Sequence, residues 1–261
     1  MPEVQHEGAS VHYEVDGEGP PLLLIAGIAS DASSWAPLVP LLAPHFTLIM
    51  PDNRAAGRTR HAGVLNIGDI GGDCLAVLDA LGIEKTAIAG HSLGGMIGLR
   101  MASTWPARVT RLATLCSANR IGDKERVLFK DLARLYARIE PQLWFRLLFQ
   151  WLFSSPVTFE EGALAGMADA AARYPYRQSA RDFAVQVEAI DRMRPAVLPA
   201  IKCPVLAIAA EKDLLMLPRA VTDGHRGVPD LRTALIANAG HSVHWEAPEA
   251  VATELLRFLR G

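Results

Sequence analysis

The strongest constraint on this chain is a set of short, almost unbroken apolar runs bounded by turn residues. They read PLLLIAG (21–27), FTLIMPD (46–52), TAIAGH (86–91), RLATLC (111–116) and PVLAIAA (204–210), with a shorter TALIAN at 233–238. A strand that is apolar on both faces is buried on both faces, as in the middle of a parallel sheet covered by helices. VHYEV (11–15) alternates instead, as a half-exposed edge strand does. Helical spacing fills the gaps: LAVLDALGI (75–83), closed by Gly82, MIGLRMAS (96–103) and the amphipathic EAPEAVATELLRFLR (246–260). Strand and helix in alternation predict an α/β fold with a mostly parallel sheet.

Residues 118–202 break that rhythm. They hold no strand-like run, but they carry helical patterns at ERVLFKDLARLYARI (125–139) and PQLWFRLLFQWLF (141–153), and YPYR (174–177) reads as a turn. The expected organisation is an α/β core, 1–117 and 203–261, with a helical cap at 118–202. Such a cap would lie over the carboxyl ends of the strands, where open α/β sheets bind ligands.

Composition narrows the class further. The chain has 261 residues, half of them hydrophobic, and a formal net charge of −2. It can bury a sizeable core, and no basic excess points to nucleic acid or an anionic membrane surface. No apolar run approaches the ~20 residues of a membrane span, and the N-terminal MPEVQHEGAS lacks the pattern of a signal peptide. Cys74, Cys116 and Cys203 are odd in number and widely spaced, which predicts reduced thiols and a cytoplasmic setting. A small-molecule substrate is the expected partner, with homo-oligomerisation left open.

The chemistry concentrates at GHSLG (90–94), a G-x-S-x-G between a strand-like and a helix-like stretch. That context places Ser92 on a sharp strand-to-helix elbow, with Gly90, Gly94 and Gly95 giving the helix room to pack back. A serine hydroxyl needs a base. His241 is the first choice, on a loop between TALIAN and the C-terminal helix, with His244 as its rival. Asp213, in AEKD just after PVLAIAA, is the expected orienting acid, with Glu211 as the alternative. His91 adjoins Ser92 and should point elsewhere. Backbone N–H groups of Leu93, at the helix start, and Ile28, after Ala26-Gly27, are the candidate oxyanion donors.

These residues together resemble the α/β-hydrolase superfamily over essentially the whole chain. The segments that carry the resemblance are LLLIAGIASDASSW (22–35), PDNRAAGRT (51–59), GHSLGG (90–95), AEKD (210–213) and AGHSVHWEAPE (239–249). Small bacterial enol-lactonase-like esterases and cofactor-free haloperoxidase-like perhydrolases are the most similar branches. The resemblance implies an eight-stranded, mostly parallel sheet with a helical cap. It also implies Ser92, Asp213 and His241 as a catalytic triad and Ile28 and Leu93 at the oxyanion hole. A serine nucleophile argues against the dehalogenase and epoxide-hydrolase branches. Two segments depart from the pattern. Ala26-Gly27 stands where the family has His-Gly, and DNRAAGRT carries Ala55 and Thr59 in place of a glycine and a serine. Asp52, Arg54 and Arg58 are expected to brace that loop.

LWFRLLFQWLF (143–153) is apolar nearly all round, so it packs the cap, with Trp144 and Leu148 as candidates to roof a pocket above Ser92. The resulting expectation is a serine hydrolase for a small, fairly apolar ester or lactone, needing no metal or organic cofactor. Carbon–carbon bond hydrolysis, peracid formation and ligand binding without turnover stay open as alternatives.

Overall fold

The computed structural model describes residues 2–260. Nine strands run in chain order: β1 (Glu3–His6), β2 (Ala9–Asp16), β3 (Pro21–Ile25), β4 (Thr47–Pro51), β5 (Arg60–His61), β6 (Thr86–His91), β7 (Val109–Leu115), β8 (Val205–Ala210) and β9 (Leu231–Ile236). Their helices are α1 (Val39–Leu42), α2 (Ile67–Ala80), α3 (Leu93–Thr104), α4 (Asp123–Tyr136), α5 (Pro141–Leu152), α6 (Glu161–Arg173), α7 (Ala180–Asp191), α8 (Pro218–Gly224), α9 (Val243–Glu246) and α10 (Pro248–Arg260).

The sheet order is β1-β2-β4-β3-β6-β7-β8-β9. The β1–β2 and β2–β4 pairs are antiparallel, and every pair from β4 to β9 along that order is parallel. The expected eight strands are the eight on this path; the two-residue β5 adds a ninth by pairing with β2.

Both faces of the central strands are buried, which explains the unbroken apolar runs, while the edge strands β1 and β9 are largely exposed. On β3, Leu23 and Ile25 face a cluster containing Ile70 and Val77 of α2 and Ile97 of α3. Leu22 and Leu24 face the opposite cluster, with Trp35, Leu48 and the Val251, Leu255 and Phe258 stripe of α10. Between β7 and β8 the described residues form helices α4 to α7 and short 3-10 turns, with no strand.

Some boundaries differ from the pattern. Helix α2 begins at Ile67, a full two turns before the predicted 75, because the Asp69 carboxylate accepts the Asn66 N–H at 3.0 Å and starts the helix through a glycine-rich stretch. The glycine at 71 has a packing role: a Cβ there would lie 3.2 Å from both Met101 and Trp105. The C-terminal helix is broken at Ala247, so His244 sits in the short α9 and the long α10 starts at Pro248.

Gly94 fixes how closely α3 can approach the sheet, since a Cβ there would overlap the Ile25 carbonyl at the end of β3. Gly94→Ala is therefore expected to lower the unfolding free energy by at least about 2 kcal/mol. Gly166, in the exposed interior of α6 with open space around it, gives the contrast. Gly166→Ala should raise stability by about 0.5–1 kcal/mol. Urea titration of both variants checks the pair.

Candidate active site

Ser92 joins β6 to α3 with φ 51° and ψ −115°, a left-handed backbone that a non-glycine residue adopts only when its surroundings enforce it. They do so from three directions. The Ser92 N–H donates to the Leu115 carbonyl at 2.9 Å, and the Ser117 hydroxyl donates to the Ser92 carbonyl at 2.6 Å. Below the turn, a side chain on Gly90 would collide with the Gly94 backbone, and one on Gly94 with the Ile25 carbonyl.

The loop after β9 brings His241 to this hydroxyl. His241 Nε2 lies 3.0 Å from Ser92 Oγ, and Nδ1 lies 2.8 Å from Asp213 Oδ2. With the Nδ1 proton donated to Asp213, Nε2 turns its lone pair to the Ser92 hydroxyl, which is the tautomer a general base needs. Asp213 sits in the turn after β8, and its Oδ1 accepts the N–H groups of Leu215 and Met216, each at 2.8 Å. Burial pushes the Asp213 carboxyl up, but the facing His241 and those two N–H groups outweigh it and hold the group below the ordinary aspartate value. It is held as a carboxylate beside the imidazole.

The two rivals have other roles. Glu211 is exposed and accepts the Asn238 N–H at 2.8 Å, bracing the strand end that carries the histidine loop. His244 is buried against His91 and Trp35, with ring centroids 4.4 and 5.2 Å away. Burial, then the neighbouring His91 and His241, push its pKa well below the ordinary value. His91 points away from the hydroxyl: its Nε2–H donates to the His241 carbonyl at 2.9 Å. Burial and then His241 lower the His91 pKa to about 3, so it is neutral.

The expected oxyanion donors meet at the same spot. Leu93 is the first residue of α3, and Gly27 brings its loop so close that a Cβ there would be 3.4 Å from Ser92 Cβ. Ile28 and Leu93 share a small recess with Ser92 and His241. Among the described residues, neither the Ile28 nor the Leu93 backbone N–H has a hydrogen-bond partner in the chain. The loop lacks the family's histidine and is held otherwise: Asn53 Nδ2 donates to the Ala26 carbonyl at 2.9 Å, and Gln178 Oε1 accepts the Ala29 N–H at 3.1 Å. Asp52 accepts the N–H groups of Ala32 and Arg58, while Arg54 makes a two-point pair with Asp73 at 2.6 and 2.8 Å.

Above Ser92 lies a cavity of about 390 Å³ between the sheet edge and the helices of 118–202. Its roof is apolar, with Phe129, Phe145, Leu148, Phe149, Leu152 and Met167; Asp31, Ser33 and Tyr174 lie on another part of its wall. Leu148 is where the sequence placed it. Trp144 is not: it is fully buried inside the helical layer, stacked on Tyr136 at 3.8 Å, with its indole N–H donated to the Leu132 carbonyl. A helix apolar all round has two buried faces, and periodicity alone does not say which one meets the cavity.

Glu246, the first residue of the segment predicted as the C-terminal helix, has a further role. Its carboxylate accepts the N–H groups of Gly240, Ser154 and Ser155 at 2.5 to 2.8 Å, tying the histidine loop to the end of α5. No local pattern announces a contact between positions 154 and 246. Among the described residues, one group of three side chains places metal-ligating atoms together: Cys116, Asp213 and His241, within 4.8 Å of one another. Both Asp213 oxygens there already accept hydrogen bonds, and burial raises the Cys116 thiol pKa far above the ordinary value. A protonated thiol and an occupied carboxylate fit the hydrogen-bond relay rather than a closed metal centre.

The buried neutral His91 carries a pH signature. Its folded pKa is depressed, so the unfolded chain binds the extra proton between about pH 3 and 6.5. The His91 contribution to stability is therefore fully present above about pH 6.5 and is lost as pH drops toward 3. His91→Gln should flatten that decline by up to about 1.4 kcal/mol per pH unit, measured by urea unfolding at pH 7 and pH 4.5. An unchanged slope would show that His91 takes up its proton in the folded state.

Comparison with known proteins agrees with this geometry. The chain matches the alpha/beta hydrolase fold family over residues 20–248. RutD of Azorhizobium caulinodans, provisionally named a carbamate hydrolase, is 30% identical over 267 residues, covering 99% of this chain and 98% of its own. The enol-lactonase from Burkholderia xenovorans LB400 matches with a TM-score of 0.88 at 25% identity, covering 100% of both chains. BpoC from Mycobacterium tuberculosis H37Rv, provisionally named a non-heme bromoperoxidase, has a TM-score of 0.84 at 26% identity, covering 96% of this chain and 95% of that one. Parallel order, serine elbow and whole-length similarity coincide, and the chain belongs to the alpha/beta hydrolase family.

Proposed function

We propose that this protein is a serine hydrolase of small, fairly apolar carboxylic esters or lactones, working through an acyl-enzyme. The observation that carries the reading is the continuous relay from Asp213 through His241 to Ser92 Oγ, with links of 2.8 and 3.0 Å, opening into the cavity.

In this reading His241 Nε2 takes the Ser92 proton as Oγ forms its bond to the substrate carbonyl carbon. The charge that develops on the carbonyl oxygen is met by the N–H groups of Ile28 and Leu93. As the tetrahedral intermediate collapses, the alkoxide leaves and takes the proton from His241. A water then gives its proton to His241 and attacks the acyl carbon, and Ser92 recovers the proton as the acid departs. Asp213 keeps its charge throughout and stabilises the imidazolium. Residues 118–202 act as the cap, and its Phe and Leu side chains take the substrate's apolar part. A volume of about 390 Å³ suits a small acyl or alcohol group.

Carbamates are the second carbonyl class to test, because RutD of Azorhizobium caulinodans carries that name at 30% identity. The same attack on a carbamate expels an alcohol or an amine, and the apolar roof favours the ester.

A panel of p-nitrophenyl esters, lactones and p-nitrophenyl carbamates, with and without peroxide, checks the assignment. Short-chain esters and lactones should turn over. Ser92→Ala and His241→Ala should each lower kcat by at least about 10³-fold, and Asp213→Asn by about 10²–10⁴-fold. Activity retained in Ser92→Ala would overturn the reading, and faster carbamate turnover would reassign the substrate class.

A further inference from the structure

We infer that Gln178 is a positioning residue, a clamp from the helical insertion that holds the oxyanion loop in its working shape. The inference rests on the serine-hydrolase reading above and adds a residue to it. Gln178 lies in the linker between α6 and α7, is buried, and lines the cavity. Its Oε1 accepts the Ala29 N–H at 3.1 Å, and its Nε2 donates to the Ala55 carbonyl at 2.5 Å. The partners fix the orientation of the amide, since Ala29 offers only a donor here and Ala55 only an acceptor. The main chain of Gln178 is anchored in turn, as the Tyr136 hydroxyl of α4 donates to its carbonyl at 2.8 Å.

Both partners of the amide are unusual. Ala29 has φ 59° and Ala55 has φ 63°, so two alanines hold the left-handed conformation that normally falls to glycine. One belongs to the loop after β3 and the other to the loop after β4. A single side chain from the insertion bridges the two strained positions. Such conformations persist only where the surroundings over-determine them, and this amide supplies a hydrogen bond to each.

The position of Ala29 links the clamp to the chemistry. Its N–H belongs to the peptide that directly follows Ile28, whose own N–H is the proposed oxyanion donor. The Ser30 hydroxyl donates to the Ile28 carbonyl of that same peptide at 3.3 Å. Holding this peptide fixes the torsions at Ile28 and hence the direction of its N–H. The insertion therefore shapes the oxyanion hole as well as roofing the cavity. Seating of 174–179 on the core and completion of the hole become a single event.

Gln186 provides an internal comparison. It also reaches from the insertion to the core, and its Nε2 donates to the Arg54 carbonyl at 2.7 Å, but it touches neither Ala29 nor the cavity. A residue that merely fastens the insertion should behave like Gln186. A clamp on the oxyanion loop should not.

The test compares Gln178→Met, Gln178→Glu and Gln186→Met by p-nitrophenyl butyrate kinetics and inhibition by butylboronic acid, which forms a tetrahedral adduct on serine. Losing a direct oxyanion donor costs about 10²–10³-fold in kcat, and a misaligned donor should cost less, about tenfold. Gln178→Met is expected to lose that factor in kcat, with KM within about twofold and the boronate Ki raised by the same factor as kcat falls. Gln178→Glu keeps the acceptor for Ala29 and should lose less, about threefold. It also carries the test if the Met variant does not fold. Gln186→Met should lower Tm with kcat unchanged. Native kcat and Ki in the folded Gln178 variants, or an equal kcat loss in Gln186→Met, would overturn the clamp while leaving the serine-hydrolase reading intact. That reading is tested separately by Ser92→Ala, whose retained activity would remove the basis for both.

Discussion

The His241 imidazole, held between a hydroxyl and a carboxylate, is the interaction that the rest of the structure serves. Its partners are far away in sequence: Ser92 is 149 positions from His241, and Asp213 is 28. The parallel neighbours in the order β6-β7-β8-β9 bring those three loops to one edge of the sheet. The loops are then tied to each other. The Glu211 N–H donates to the Ile236 carbonyl and the Lys212 N–H to the Ala239 carbonyl, both at 2.9 Å, so the acid turn and the histidine loop move as one. The Ser242 N–H donates to the Leu152 carbonyl, and Glu246 collects three more N–H groups around the same junction. The imidazole orientation is set by its two ring hydrogen bonds, to Asp213 Oδ2 and to Ser92 Oγ, while the tied backbone keeps the ring within their reach.

This order carries an energetic cost that the packing offsets. Ser92 has a left-handed backbone, Asp213 is a carboxylate almost without solvent, and His91 and His244 are buried rings beneath the loop. Ser92, Asp213 and His91 are tolerated for specific reasons. Ser92 is tied by Leu115 and Ser117, Asp213 has three N–H donors, and the His91 proton goes to the His241 carbonyl. The strained turn presents the Ser92 Oγ beyond the strand end while hydrogen bonds hold the backbone around it.

Much of this arrangement is legible in the amino-acid sequence. Strands apolar on both faces announce a covered parallel sheet, and the runs at 21–27, 46–52, 86–91, 111–116 and 204–210 hold β3, β4, β6, β7 and β8. TALIAN instead belongs to the largely exposed edge strand β9, and VHYEV, which alternates like an edge, lies in β2 between β1 and β4. Ser92 was legible because a glycine pattern and a strand-to-helix change coincide, and Asp213 and His241 because each follows a strand-like run. What is not legible has separate physical reasons. β1, with the sequence EVQH, is short and half polar, so nothing in its pattern separates it from a loop. Gln178, Glu246 and Asn53 act through hydrogen bonds across more than twenty positions, and a side-chain amide or carboxylate does not advertise its partner. Trp144 and Leu148 lie on one apolar helix, and only tertiary packing decides that Trp144 stacks on Tyr136 while Leu148 meets the cavity.

The helical insertion is thus joined to the chemistry at two places, the histidine loop through α5 and the oxyanion loop through Gln178. The central claim is narrower: an activated hydroxyl at Ser92, made nucleophilic by His241. The most direct measurement is peptide mapping by mass spectrometry after exposure of the folded protein to a fluorophosphonate. The account predicts one covalent adduct per chain, on Ser92, and its disappearance in His241→Gln. An unlabelled Ser92 in a protein that still turns over esters, or an adduct on another residue, would contradict it.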